Sequence, residues 1–168
     1  MKQLKFGITG FGKMGKIRLD SILRSKETKL VAIFDINHFD KTNEDILFCK
    51  TFDELLKTDI DAVIVSTYVK FASEYVIQAL KAGKHVFCEK PPSMNLKEIL
   101  GIIAIEKKTG NILKYGFNHR FHFSVMDAKK LINKGKLGKL LWMRGAYGKA
   151  GSIDFRDNWR NYKKYSGG

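Results

Sequence analysis

Apolar residues gather into short runs, separated by longer stretches in which they recur at helical spacing. The runs are 4–9, 30–34, 62–65, 85–88 and 112–117. A continuous apolar run of this length between polar residues suits a strand buried on both faces, and Ala62 to Val65, between Asp61 and Ser66, is the clearest. Helical spacing appears at Leu19, Ile22 and Leu23, at Val76, Ile77 and Leu80, and at Leu96, Ile99, Leu100 and Ile103. Thr51 with Glu54 forms a capping-box pattern that opens a short helix over 52–57, and Asn95 with Glu98 opens another that ends near Gly110. Gly83 stands where a helix C-cap belongs. Ile46 to Phe48 is a short apolar piece in an otherwise polar stretch. Buried strands alternating with helices predict an α/β fold, a doubly wound parallel sheet with right-handed crossovers.

The first run leads directly into Gly10-Phe11-Gly12-Lys13-Met14-Gly15 and then into the first helix, and the second run ends on Asp35, twenty residues after Gly15. Each part of that order has a task in holding a dinucleotide. Gly10 permits a tight turn, Gly12 lets backbone approach a pyrophosphate, and Gly15 lets the helix pack close to the strand. The helix N-terminus offers free N–H groups and partial positive charge to phosphates. Asp35 is placed to accept the hydroxyls of an adenosine ribose. It would repel a 2′-phosphate, and Ile36-Asn37-His38 brings no arginine, so NAD is expected rather than NADP. A glycine turn alone also fits an ordinary βαβ unit. The strand, turn, helix, strand and acid together point to a Rossmann cofactor site.

The character of the chain changes after Asn118. Residues 119–123 are basic and aromatic, and Val125, Ala128, Leu131 and Ile132 predict one more helix, broken by Gly135-Lys136-Leu137-Gly138. Leu140 to Tyr147 reads as a strand foreign to the first sheet, and 148–168 has no clear period. The division expected is a dinucleotide-binding Rossmann domain over 1–120, then the beginning of a truncated second α+β domain over 121–168.

Composition alters this picture little. The 168 residues are 44% hydrophobic and 29% charged, as in an ordinary globular protein with room for one proper core. The first strand starts within a few residues of Met1, so no signal peptide is expected, and the longest strongly apolar stretch, 99–105, is too short to span a bilayer. Cys49 and Cys88 are too few for a disulfide framework and lack metal-ligand spacing; Cys88, after an apolar run, reads as a buried, inert thiol. The net charge of +14 is spread through every helix and turn, with no run of five or six and no interleaved aromatic platform. It reads as solvated faces rather than a nucleic-acid surface, with attraction of an anionic cofactor and substrate as a weaker reading.

Glu89-Lys90-Pro91 brings in a resemblance. The chain resembles the Gfo/Idh/MocA oxidoreductases, relatives of glucose-fructose oxidoreductase and inositol dehydrogenase. The matching residues are GFGKMG at 10–15, Asp35, ALKAGKHVFCEKP at 79–91 and GFNHRF at 116–121. KLGKLLWMRG at 136–145, Asn158-Trp159-Arg160 and Ser166-Gly167-Gly168 also fit. The resemblance implies that Glu89 binds the nicotinamide ribose and that Lys90 sits beside the reacting carbon. An ammonium there stabilises a nascent alkoxide, and a partly desolvated lysine can relay a proton; a solvated loop lysine is the plainer alternative. Pro91 fixes the turn, with a bond that can be cis. Ser66 and Thr67 join the glycine-turn residues as cofactor-binding candidates, and Arg120, Trp159 and Arg160 are implied to line the cofactor and substrate cleft. A surface arginine and a core-edge tryptophan are the alternatives for these. The chain departs from the family at Tyr68, where proline is common, and at Ala72, where a histidine is often found.

What the resemblance implies is the cofactor-binding part of an NAD-dependent oxidoreductase. It would move hydride to or from a secondary alcohol or ketone of a sugar, cyclitol or nucleotide-linked sugar, with a mild preference for a phosphate-bearing sugar. The family's second domain, an open antiparallel sheet, carries a GGxxxDxGxH pattern; this chain stops at Gly168, and neither His119 nor His122 lies in that context. A fragment that binds NAD without turning over sugar is therefore expected. A non-catalytic nucleotide-binding sensor or regulatory module is the alternative. The remaining expectations are a cytoplasmic location, a homo-oligomer when full length, and no metal, nucleic-acid or membrane partner. Leu140 to Met143 would be the weak point, a first strand without its sheet.

Overall fold

The computed structural model describes residues 2–37, 45–146, 148 and 158–166. Their contacts divide the chain into two units, one of 1–116 with 159–168 and one of 117–158. The first holds six strands: β1 (Leu4–Thr9), β2 (Thr28–Phe34), β3 (Leu47–Cys49), β4 (Ala62–Val65), β5 (His85–Cys88) and β6 (Leu113–Tyr115). They form one sheet in the order β3-β2-β1-β4-β5-β6, and every neighbouring pair is parallel. This is the doubly wound order in which the chain leaves β1 to either side, so a crevice opens at the carboxyl ends of β1 and β4.

Four helices cover the sheet: α1 (Lys13–Leu23), α2 (Phe52–Lys57), α3 (Val69–Lys81) and α4 (Leu96–Thr109). The Thr51 side chain accepts the Glu54 N–H at 3.1 Å and the Asn95 side chain accepts the Glu98 N–H at 3.0 Å, so both capping signals operate. Gly110 closes α4 in the left-handed conformation. Strand β4 shows how the sheet separates two cores. Val63 and Val65 pack with Phe52, Leu55, Val76 and Leu80 on one face; Ile64 packs with Ile8, Phe11, Ile22 and Ile33 on the other. A parallel sheet covered on both faces buries alternate residues on opposite sides, which is why its central strand β4 reads as an unbroken apolar run.

Several expectations need correction. Leu47 and Phe48 of the short apolar piece belong to a true edge strand, β3, whose three residues are too few for periodicity to reveal. The stripe read on α4 faces outward: Leu96, Leu100 and Ile103 are exposed, and the fully buried residue is Ile102. That helix is apolar on more than one face, and spacing alone cannot say which face the sheet takes. On α1 the buried row is Gly15 and Ile22, while Leu23 is exposed.

The second unit contains a 3₁₀ turn, Asn118–Phe121, and helix α5 (Phe123–Asn133), which ends before Gly135 and Gly138, both at positive φ. Residues 140–146 form no strand. A strand exists only where a neighbour receives its N–H and C=O groups, and no described residue runs alongside. Tyr147 lies outside the described residues. Among the described residues no helix is long and apolar enough to cross a membrane.

Candidate functional site

The site grows from the turn between β1 and α1. Gly10 has φ +83, and a Cβ there would stand 2.7–2.8 Å from the backbone of Ser66 and Thr67. A Cβ on Gly15 would stand 2.3 Å from the Gly10 carbonyl oxygen. Neither position tolerates a side chain. The turn is held on both sides: the Gly10 N–H donates to the Phe34 carbonyl at 2.9 Å, and the Ser66 hydroxyl donates to the Gly10 carbonyl at 2.6 Å. Gly12 is different, because a Cβ there would meet nothing within 4 Å. It is exposed at the start of α1, which begins with no side-chain cap and no acidic residue in its first turn. Bare N–H groups beside open space at a helix N-terminus are what a pyrophosphate requires. Lys13 is exposed and Met14 half-buried on that turn, while the Phe11 side chain is buried in the core. Phe11 therefore offers no side chain to a ligand.

Asp35, just past β2, is fixed by two backbone donors. Its Oδ2 accepts the Phe11 N–H at 2.5 Å and its Oδ1 accepts the Asn37 N–H at 2.8 Å. Each carboxylate oxygen keeps a lone pair for a hydroxyl, and the whole group is braced against the glycine turn. Nearby, Tyr75 meets Phe34 and Phe52 edge-on, at 6.1 and 4.7 Å between ring centres. Burial, then the charges of Glu74 and Asp35, push its phenol above the usual value. His38 lies outside the described residues.

At the end of β4, Ser66 and Thr67 are half-buried; at the end of β5, Glu89 is half-buried and Lys90 exposed. The Lys90–Pro91 bond is cis. The loop that follows is anchored by Glu98, whose Oε2 accepts the Ser73 hydroxyl at 2.7 Å and the Met94 N–H at 3.1 Å. Glu98 thus does more than open its helix. Cys88, fully buried, has its thiol pushed up to about 12 by burial first and by the Glu89 charge second, as an inert thiol should.

Trp159 and Arg160 form a short 3₁₀ turn in the first unit, followed by helix α6 (Lys163–Ser166). Trp159 and Tyr165 both lie on Tyr68, at 4.9 and 5.6 Å between ring centres, and the Arg160 guanidinium stacks 4.6 Å from the Trp159 ring. The departure at Tyr68 is thus the seat of this returning segment. Arg120 is exposed in the 3₁₀ turn of the second unit. Sequence reasoning passed over Arg18, which binds Glu89. The available signal was a charged residue in the same helical row as Gly15 and Ile22. Among the described residues no cluster of His, Cys, Asp or Glu could hold a metal ion.

The family model described as "Oxidoreductase family, NAD-binding Rossmann fold" matches residues 4–117. The myo-inositol 2-dehydrogenase of Thermotoga maritima is 34% identical over 81% of this chain and 42% of its own length. The 2,7-anhydro-N-acetylneuraminate hydratase of Mediterraneibacter gnavus is 31% identical over 100% of this chain and 46% of its own. Among solved structures, the scyllo-inositol dehydrogenase of Lactobacillus casei with bound NAD(H) and scyllo-inositol superposes with a TM-score of 0.71. It is 30% identical, over 82% of this chain and 43% of that one. The chain spans less than half the length of each of these three relatives.

Proposed function

Because this chain belongs to the Gfo/Idh/MocA oxidoreductase family, with its NAD-binding Rossmann fold, we propose that it is the cofactor-holding part of an NAD-dependent oxidoreductase acting on a cyclitol, sugar or nucleotide-linked sugar. The observation that carries the reading is the turn at Gly12, where open space, bare helix N–H groups and the braced Asp35 carboxylate converge. The residues fit NAD. The N–H groups at the start of α1 hold the pyrophosphate, Asp35 takes the adenosine ribose, and Glu89, Ser66 and Thr67 border the far half. Trp159 and Arg160 supply an aromatic face and an outer cation. Bound NAD supplies a centre that accepts or returns hydride.

Lys90 directs an ammonium at the substrate oxygen and stabilises the negative charge that develops as the C–H bond breaks or forms. That interaction strengthens towards the transition state, so it lowers the barrier more than it tightens binding. The second unit, 117–158, opens the substrate part, and turnover belongs to a protein of the relatives' full length. A non-catalytic nucleotide sensor is the second reading. It is favoured by Ala72, buried where the family often has a histidine.

The test is an assay of NADH formation over a panel of cyclitols, sugars, sugar phosphates and sugar nucleotides, with Lys90→Ala beside the unaltered full-length protein. Oxidation of one panel member, lost in Lys90→Ala while NADH binding stays, supports the enzyme. NADH binding without any turnover supports the sensor, and turnover with no NADH accumulation points to a redox-neutral reaction such as the hydratase relative's name describes.

A further inference from the structure

The helix that follows the glycine turn and the strand that delivers Lys90 are joined by one side-chain bridge. Arg18 stands on the inward row of α1, between the buried Gly15 and Ile22. Its Nε donates to Glu89 Oε1 at 2.8 Å, and its Nη2 donates to the same oxygen. The guanidinium lies over the Phe87 ring, 4.7 Å from its centre. Both side chains are withdrawn from water, Arg18 at 16% and Glu89 at 11% exposure. Gly116 confines the carboxylate from another side: a Cβ there would stand 2.9 Å from Glu89 Oε2. An alanine at 116 would push Glu89 out of place.

A charge pair taken out of water recovers little net stability, because desolvation offsets attraction. What it fixes is geometry. The guanidinium fork is planar and its donors are rigidly disposed, so it sets where its carboxylate partner can be. Here the partner immediately precedes Lys90, and the fork is rooted one turn beyond the glycine turn.

We propose that Arg18 is a positioning residue for the nicotinamide half of the site. By clamping Glu89 against Gly116 it sets the end of β5 relative to the phosphate turn, and so fixes where Lys90 and the nicotinamide ribose meet. The inference rests on the NAD reading above. It gives Glu89 a second task beyond the ribose contact, that of transmitting the position of α1 to Lys90. Arg18 touches neither half of the dinucleotide in this account; it acts through Glu89.

The test separates the two halves of the cofactor by titrating NADH and ADP into the 168-residue chain. ADP retains the adenosine and pyrophosphate but lacks the nicotinamide ribose. The chain is compared with Arg18→Met, Arg18→Lys, Glu89→Gln and the double variant Arg18→Met/Glu89→Gln. Arg18→Met and Glu89→Gln should each weaken NADH about tenfold, with ADP affinity moving less than about twofold, as expected for misplacement confined to one half of the site. The double variant should be no weaker than the worse single one, because two residues acting as a unit are not additive. Arg18→Lys should recover part of the NADH affinity. Equal weakening of NADH and ADP, unchanged NADH affinity in both single variants, or additive losses would overturn the proposal. If Arg18→Met does not fold, Arg18→Lys and the double variant carry the comparison, since neither leaves a lone buried charge. Failure of the unaltered chain to bind NADH or ADP would overturn the cofactor reading itself, a result distinct from any ranking among variants.

Discussion

Ala62 to Val65 and Leu140 to Met143 are both four-residue apolar runs, and they meet opposite ends. The first is buried at every position, with β1 and β5 hydrogen-bonded along its two edges and helices over both faces. In the second, Leu141 is 80% exposed, Trp142 74% and Met143 73%, and no strand forms. Both runs are wholly apolar, but the first has three β-branched residues and the second none, so β-propensity and surroundings both favour the first. A strand gains stability only when neighbours take its backbone groups and cover its side chains. The two units differ in the same way. The first has two buried clusters, one on each face of its sheet, whereas α5 has no buried residue at all. Every element that frames the glycine turn belongs to the buried clusters, and that is what lets a turn of bare N–H groups stay in place.

The sharpest way to break the contrast is a cavity. Leu80 is fully buried, so Leu80→Ala should lower unfolding free energy by about 2–5 kcal/mol, read from a urea midpoint. Leu141→Ala, at an exposed position, should stay within about 0.5 kcal/mol of the parent. Comparable losses at both positions would mean that the second region is packed after all.

Gly15→Ala comes next. Its Cβ would overlap the Gly10 carbonyl, so stability should fall by about 1–3 kcal/mol and NAD binding should vanish in a calorimetric titration. Gly145→Ala meets nothing within 4 Å and should leave both quantities unchanged.

Asp35→Ala should weaken NAD about tenfold, near 1.4 kcal/mol, and NADP less, which narrows the preference between them. Equal or tighter NADP binding by the unaltered chain would remove Asp35 as the discriminating group.

The smallest effect concerns thiols. With its thiol pushed up to about 12, Cys88 carries almost no thiolate at pH 7–9, so its labelling by a disulfide reagent should be flat across that range and follow unfolding instead. Cys49 is only half-buried, and burial with the Glu54 charge raises its thiol, so it should label first and faster as pH rises. Fast labelling of Cys88 in the folded protein would contradict its burial.

What was legible in the sequence was whatever depends on short-range order. The runs at β1, β4 and β5, the caps at Thr51 and Asn95, and the glycine turn with Asp35 all declare themselves within a few residues. The burial of Cys88 follows from its run. What was not legible depends on partners distant in the chain. The outward turn of Leu96, Leu100 and Ile103 follows from which side of α4 meets α3 and the sheet. The edge strand β3 exists because β2 offers a free side, and the absence of a strand at 140–146 because no described residue does. Arg18 and Glu89 stand 71 residues apart, and only the sheet order brings them together. Tyr68, a departure from the family pattern when read alone, becomes intelligible once Trp159 and Tyr165 rest on it.

The central claim is that the first unit alone carries the cofactor-holding turn, and amide hydrogen exchange with and without saturating NAD tests it most directly. The account predicts added protection at 10–16, 35–37, 66–67 and 89–90, all in the first unit. Protection gathered instead in 122–146, with none at the glycine turn, would contradict it.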